Sequence, residues 1–399
     1  MFEPAMTSCF ERTHFTLRAM NDLPKLHGFE VAGDALVSAI RRAPGYSGAR
    51  ALAALLRGVE QRGFPGAAFA VLREAQIVLQ GAVGRFTYSD AAEDVTLSTI
   101  FDLASVTKIV ATTAMAMLLY ERGKLDVLRP VVELLPEFES AEDSRRRQVT
   151  VAMLLAHSSG LPAYVKLFQQ AHDRASLLDL AYKVPLEVDP GKHAEYSDIG
   201  FILLGELLER IAGEPLDCFC AREIFSILEM KSTFFRPAAH LRGAIPPTVE
   251  DRDFRRRIVQ GEVHDENASV MGGVSAHAGV FSNTADLMKF SKTLLGQGAR
   301  LFRPETIALF TRRQPSPKGT SRALGWDTPS PPSQSGRHFS TYSFGHLGYT
   351  GTSLWIDGER QIAIALLTNR TWPDRQSQLI KQIRPDFHDA VMEELLKTS

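Results

Sequence analysis

Ser105-Val106-Thr107-Lys108 sets a hydroxyl and an amine three residues apart at the head of the apolar run from Ile109 to Arg122. Residues i and i+3 of a helical turn share one face, so the amine can lie beside the hydroxyl. A serine hydroxyl is too weak an acid to ionise alone. An adjacent base activates it, burial lowers the lysine pKa toward neutrality, and a helix N-terminus favours the developing oxyanion. The same tetrapeptide also arises where a serine caps a helix beside a solvated lysine, so other residues must support the chemistry. Tyr196 is one such residue. It closes the turn-rich stretch Asp189 to Asp198 just before a helical pattern, and a phenol beside a lysine suits a base for Ser105 and an acid for the leaving group. Gly345-His346-Leu347-Gly348-Tyr349-Thr350-Gly351 is another, because glycines leading into a strand let a substrate approach the backbone and pair with it.

Other chemistries find little support. There is no G-x-S-x-G elbow, Walker loop, Rossmann fingerprint or H-E-x-x-H. His264-Asp265-Glu266 with His277 is the nearest approach to a metal cluster, and such residues more often make local hydrogen bonds. No cofactor is implied. With 45 basic and 46 acidic side chains the formal charge is -1, and the arginine triplets 145–147 and 255–257 are short and lie among acidic residues, which excludes a nucleic-acid footprint. Cys9, Cys218 and Cys220 cannot build a disulfide framework, and the spacing of the last two makes a bridge between them geometrically poor. Charged residues interrupt every apolar run in the first thirty positions, so no secretory signal is read there. The run from Ile109 to Tyr120 is too short to span a bilayer. A soluble, cytoplasmic protein is the expectation.

The elements that must position these residues follow from periodicity. Helical spacing covers 49–61, 105–122, 149–156, 176–183, 198–212 and the amphipathic C-terminus from about 375 to 397. Strands are predicted at 67–72, 76–83, 352–356 and 361–368, with Asp357-Gly358 joining the last two. Residues 1–48 read as an N-terminal extension. Residues 49–104 with about 270–399 read as an α/β subdomain with a central antiparallel sheet, and about 105–269 as a mainly helical insertion, with the site in the cleft between them. The Pro-, Ser- and Gly-rich stretch 311–343 reads as a long surface loop. The fold class is α+β: an antiparallel sheet flanked by N- and C-terminal helices.

In this order and spacing, the Ser105, Tyr196 and His346 elements resemble the serine β-lactamase and penicillin-binding-protein superfamily, nearest its class C-like branch. Two further segments support the resemblance: Leu154-Leu155-Ala156-His157-Ser158-Ser159-Gly160-Leu161-Pro162, and the glycine-rich stretch from Gly272 to Ser282. It covers residues 50–397. It implies a β-lactamase/transpeptidase-like fold and hydrolysis through an acyl-enzyme, without metal or organic cofactor. Ser105 would be the nucleophile, Lys108 its proton-handling partner and Tyr196 the second base. The backbone amides of Ser105 and Tyr349 would form the oxyanion hole, and Asp198, His346, Gly348 and Thr350 would contact substrate.

The chain departs from that pattern twice. The third motif usually reads Lys-Thr-Gly and here reads His346-Leu347-Gly348, which removes a permanent cation and a hydroxyl that hold a substrate carboxylate. A protonated His346 would recover part of this, with activity weakening as pH rises through its ordinary pKa of about 6.5, and Arg337 is a second candidate cation. Asp198 stands where the family often has asparagine, so a carboxylate replaces an amide against either Lys108 or the substrate. Small esters are therefore expected to react readily and penicillins slowly. The implied function is a cytoplasmic esterase or an amidase of muropeptides or other peptides. The alternatives are a β-lactamase, a D-alanyl-D-alanine carboxypeptidase or, with less support, a non-enzymatic scaffold. The partner is a small-molecule or peptide substrate, peptidoglycan-derived in the amidase case.

Overall fold

A computed structural model describes residues 37–397 of the 399. Most of the expected N-terminal extension, Cys9 included, lies outside the described residues.

Six strands form one antiparallel sheet, in the order Val37–Arg42, Gln76–Gly84, Gly66–Arg73, Ile362–Thr368, Ser353–Asp357, Phe344–Leu347. The two central strands are apolar at nearly every position because both of their faces are covered. On Gly66–Arg73, Ala67, Phe69 and Val71 point into one core while Ala68, Ala70 and Leu72 point into the other. Ile362–Thr368 alternates in the same way, with Ile362, Ile364 and Leu366 on the first side and Ala363, Ala365 and Leu367 on the second. Helices Ala49–Glu60 and Ile380–Lys397 pack on each other and cover the first face. Helix Thr284–Leu294 and the helical residues between 104 and 230 cover the second. The architecture is the α+β sandwich expected.

Several boundaries moved. Strand Val37–Arg42 pairs with Gln76–Gly84, so residues 37–42 of the extension read over 1–48 belong to the sheet. The C-terminal helix begins at Ile380 rather than near 375, because Arg370 and Arg375 are held in an irregular connection by Tyr349, Ser377 and Glu266. The helix expected over 105–122 is three things: a 3-10 turn Ala104–Val106, π-helical turns Lys108–Thr113 and an α-helix Ala114–Glu121. The stretch 311–343 is not a surface loop. Ala323, Leu324 and Trp326 are buried, and the Gly325 N–H donates to the Leu155 carbonyl at 2.9 Å. Gly325 has φ +85° and lies so close to Thr113 that a Cβ would come 1.9 Å from its Oγ1.

Cys218 is exposed and Cys220 buried, and both are free thiols. Among the described residues no helix is long and apolar enough to cross a membrane.

Candidate active site

Ser105 sits on a backbone bent to present it. Ala104, just before it, has φ +46°, a left-handed conformation costly for a residue with a Cβ. The buried carboxylate of Asp102 holds that bend, accepting from the Ala104 N–H at 2.8 Å and the His264 N–H at 2.6 Å. Burial raises the Asp102 pKa to about 6, against the effect of those two donors. The turns that follow are tied to the glycine-rich stretch. Thr112 Oγ1 donates to the Ala276 carbonyl at 2.7 Å, and Thr107 Oγ1 accepts from the Val280 N–H at 3.1 Å.

Lys108 is fully buried. Its Nζ donates to Ser105 Oγ at 3.1 Å, Asp198 Oδ1 at 2.7 Å and the His277 carbonyl at 3.0 Å. Three acceptors match the three protons of an ammonium. Burial pushes the lysine pKa below its ordinary value, and the Asp198 carboxylate opposes that shift.

Tyr196 Oη lies 2.6 Å from Ser105 Oγ and 3.0 Å from Asp198 Oδ1. Burial, and then the Asp198 charge, push the phenol well above its usual pKa, so it is protonated at neutral pH. Its one proton goes to the carboxylate, which leaves the Ser105 hydroxyl donating to the Tyr196 oxygen. A single file results, from Ser105 through Tyr196 to Asp198, with Lys108 donating to both ends.

Sequence segments far apart hold that file. The His157 ring packs on the Tyr196 ring at 4.8 Å, and its Nδ1 accepts from the Ser197 N–H at 3.0 Å. Ser197 Oγ caps the helix Asp198–Ala212 by accepting from the Gly200 N–H, and it donates to the Pro162 carbonyl at 2.7 Å. The His277 ring bonds Ser275 Oγ and Asp265 Oδ1, each at 2.8 Å, and so fixes the carbonyl that receives Lys108.

The third motif lies on the sheet's edge strand, Phe344–Leu347, and the turn after it. Gly348 lies against the serine turn: a Cβ there would come 1.9 Å from Thr352 Oγ1 and 2.5 Å from the Leu103 carbonyl. Thr352 Oγ1 donates to that same carbonyl at 2.9 Å. Gly348 thus holds two segments in contact, and it also lines the cavity. Thr350, expected to contact substrate, is also fully buried, and its hydroxyl donates to the Asp102 carbonyl at 2.8 Å. Part of the edge is closed as well, since Gly345 exchanges two 2.9 Å backbone bonds with Asp327. Tyr349 is half exposed beside the cavity that reaches Ser105.

His346 is not the cation expected. It is buried, its Nδ1–H donates to the Leu347 carbonyl at 2.7 Å, and burial, with Lys108 nearby, pushes its pKa to about 3. The imidazole is neutral throughout the physiological range. Arg337 does not replace it, being bound to Asp389 on the surface. The cation that does reach this corner is Arg322, whose guanidinium lies 5.6 Å from the Tyr196 ring centre and lines the cavity. The sequence reading missed it. The apolar residues Ala323, Leu324 and Trp326 within a polar stretch were the available sign that this loop turns inward. Asp198 is bonded to both Lys108 and Tyr196, the first of the two placements expected for its carboxylate, and it also lines the cavity.

Comparison with known proteins yields one family model, described as Beta-lactamase, matching residues 49–384. An "N-acetylmuramyl-L-alanine amidase" of Bacillus subtilis (strain 168) is 33% identical over 346 residues, covering 77% of this chain and 78% of the relative. A "Putative D-alanyl-D-alanine carboxypeptidase" of Salmonella typhimurium (strain LT2) is 34% identical over 349 residues, with 77% and 79% covered. Among solved structures, EstCE1, described as a hydrolase with promiscuous acyltransferase activity, superposes with a TM-score of 0.69 at 19% identity, covering 85% of this chain and 97% of its own. A penicillin-binding-protein homologue from Caulobacter crescentus gives 0.70 at 18%, covering 88% and 98%.

Proposed function

The chain belongs to the beta-lactamase family, and we propose that it is a serine hydrolase that cleaves amide or ester bonds through an acyl-enzyme on Ser105. The observation that carries this reading is the Ser105 hydroxyl held between Tyr196 Oη at 2.6 Å and Lys108 Nζ at 3.1 Å, at the wall of an open cavity of about 1660 Å³. The substrate enters the cleft between the sheet-bearing part, 49–104 with 270–399, and the helical part, 105–269.

The steps follow from the hydrogen-bond file. Ser105 Oγ attacks the substrate carbonyl while its proton passes to Tyr196 Oη and the phenol's own proton passes to Asp198. Lys108 keeps its charge and steadies the developing alkoxide and the carboxylate. The Ser105 and Tyr349 N–H groups receive the carbonyl oxygen as it becomes an oxyanion. The tetrahedral intermediate then collapses: the bond to the leaving amine or alcohol breaks, and the proton returns through Tyr196 to that leaving atom. Water repeats the sequence from the other side and releases the acid.

A peptide amide, as in a muropeptide, is the substrate class we favour, since the cavity far exceeds what a short acyl ester needs and the amidase relative aligns over most of both chains. Arg322 beside Tyr196 favours a second reading, a D-alanyl-D-alanine carboxypeptidase, because it puts a permanent cation where a terminal carboxylate would lie. Intact-mass spectrometry after fluorophosphonate exposure tests the enzyme class: one adduct on Ser105, absent in Ser105→Ala, is expected. An adduct on Ser158, Ser159 or Ser275 would refute it. Comparing kcat/KM for 4-nitrophenyl acetate, a muramoyl-peptide, a D-alanyl-D-alanine peptide and nitrocefin separates the substrates, with nitrocefin expected to be the poorest.

A further inference from the structure

Among the described residues, two buried arginines in the same cavity have no counter-ion. Arg370 donates from Nε to the Tyr349 carbonyl at 2.6 Å and from Nη1 to the Ser377 carbonyl at 3.1 Å, with its guanidinium 4.3 Å from the Tyr349 ring centre. Arg384 donates from Nη1 to Gln334 Oε1 at 3.2 Å and from Nη2 to the Thr352 carbonyl at 3.4 Å, while its buried Nε has no partner among the described residues. All four acceptors are neutral oxygens. Among the described residues neither arginine forms an ion pair, whereas Arg375 between them in sequence pairs with Glu266 at 2.5 Å. The two repel each other, and burial together with Arg370 lowers the Arg384 pKa to about 9, which still leaves it cationic at neutral pH.

Burying a guanidinium costs several kcal/mol unless an anion compensates it, and a close pair costs more. Arg146 is also buried on carbonyl oxygens alone, but it braces the packed interior and lines no part of this cavity. Arg370 and Arg384 do line it, beside the half-exposed Tyr349. Two planar forks with free N–H groups are the donor set that a carboxylate takes in bidentate fashion.

We propose that Arg370 and Arg384 form a carboxylate subsite, so that the substrate is an ester or amide carrying a free carboxylate remote from the bond that is cleaved. This rests on the serine-hydrolase reading and adds to it a class of substrate. It is separate from the cation at Arg322, which adjoins Tyr196 and the reacting bond.

The test is a ratio of kcat/KM within two matched pairs of esters. In the first, mono-4-nitrophenyl pimelate against 4-nitrophenyl heptanoate, the carboxylate is on the acyl side. In the second, 4-acetoxyphenylacetate against 4-methylphenyl acetate, it is on the leaving side. One charge-assisted contact predicts a preference of about ten- to a hundredfold for the acidic member of at least one pair. That preference should fall toward one in both Arg370→Gln and Arg384→Gln. The ratio cancels damage to the shared chemistry, and Arg384→Lys serves if Arg384→Gln does not fold. Equal rates within both pairs for the wild type, or a preference that survives both substitutions, would overturn the subsite and leave the arginines as braces of the Tyr349 turn. If instead neither ester of a pair reacts, or reaction persists in Ser105→Ala, the hydrolase reading is what fails. The subsite is then judged by binding alone: pimelate should raise the unfolding midpoint of Ser105→Ala protein and not that of Arg384→Lys. Equal stabilisation by inorganic phosphate would refute carboxylate selectivity.

Discussion

Replacing Asp198 by asparagine keeps the side chain's shape and removes only the charge that faces Lys108 across 2.7 Å. Lys108 is fully buried, and its other two acceptors, Ser105 Oγ and the His277 carbonyl, are neutral. A buried ammonium stripped of its partner costs about 3–5 kcal/mol, and the protein can limit that cost by releasing the proton. The limit is set by linkage. An unfolded lysine titrates near 10.4, so holding one neutral at pH 7 costs at most about 3.4 pH units, or about 4.6 kcal/mol. Burial already lowers the Lys108 pKa in the wild type, so the loss specific to Asp198→Asn should be about 2–4 kcal/mol at pH 7. The sign follows from which state holds the proton. With the folded pKa lowered further in the variant, the unfolded chain binds the extra proton, so the variant's stability rises with pH. The deficit against wild type should therefore close as pH climbs toward about 10.4, by at most about 1.4 kcal/mol per unit. Urea unfolding of both proteins at intervals from pH 6 to 10 measures this. A deficit that is flat across the range, or one below about 0.5 kcal/mol at pH 6, would show that Asp198 is not what keeps Lys108 charged.

Three more expectations can be measured directly. Tyr196→Phe removes the middle of the proton file and should lower kcat by about a hundredfold or more, with KM little changed; unchanged turnover would take the phenol out of the mechanism. His346→Gln should leave the pH profile of kcat/KM between about 5 and 8 without a lost or gained limb, because the histidine's pKa near 3 keeps it neutral there, and a limb near 6.5 that vanishes in the variant would contradict this. Gly348→Ala forces a methyl against Thr352 and Leu103, and it should cost about 1–3 kcal/mol in urea unfolding along with a loss of activity; wild-type values for both would mean the contact is not tight.

The contact of Ser105 with Lys108 and the central strands were legible in the sequence because each depends on local pattern, and the family resemblance set Tyr196 beside them. Ser105 and Lys108 need only one helical turn between them. The strands Gly66–Arg73 and Ile362–Thr368 announce themselves as apolar runs because both of their faces are buried. Asp198–Ala212 begins and ends where its serine cap and Gly213 put it. The charge state of His346 was not legible, since a pKa depends on how much water and which charges surround the ring. Burial beside Lys108 inverted the expectation drawn from the residue type. The family resemblance sets Thr350 against substrate, yet its hydroxyl is spent on the Asp102 carbonyl, a partner distant in the chain. Arg322 and Arg370 lie in stretches without periodicity and Arg384 on the C-terminal helix, and in each place one arginine reads like another. What separates Arg370 and Arg384 from the arginines on the surface is burial without a carboxylate among the described residues, and a sequence does not display the counter-ion a fold fails to supply. Local spacing determined which groups could react, and the tertiary structure decided which of them carry charge and where a substrate's own charge can rest, because electrostatic energy is set by distance and solvent rather than by order along the chain.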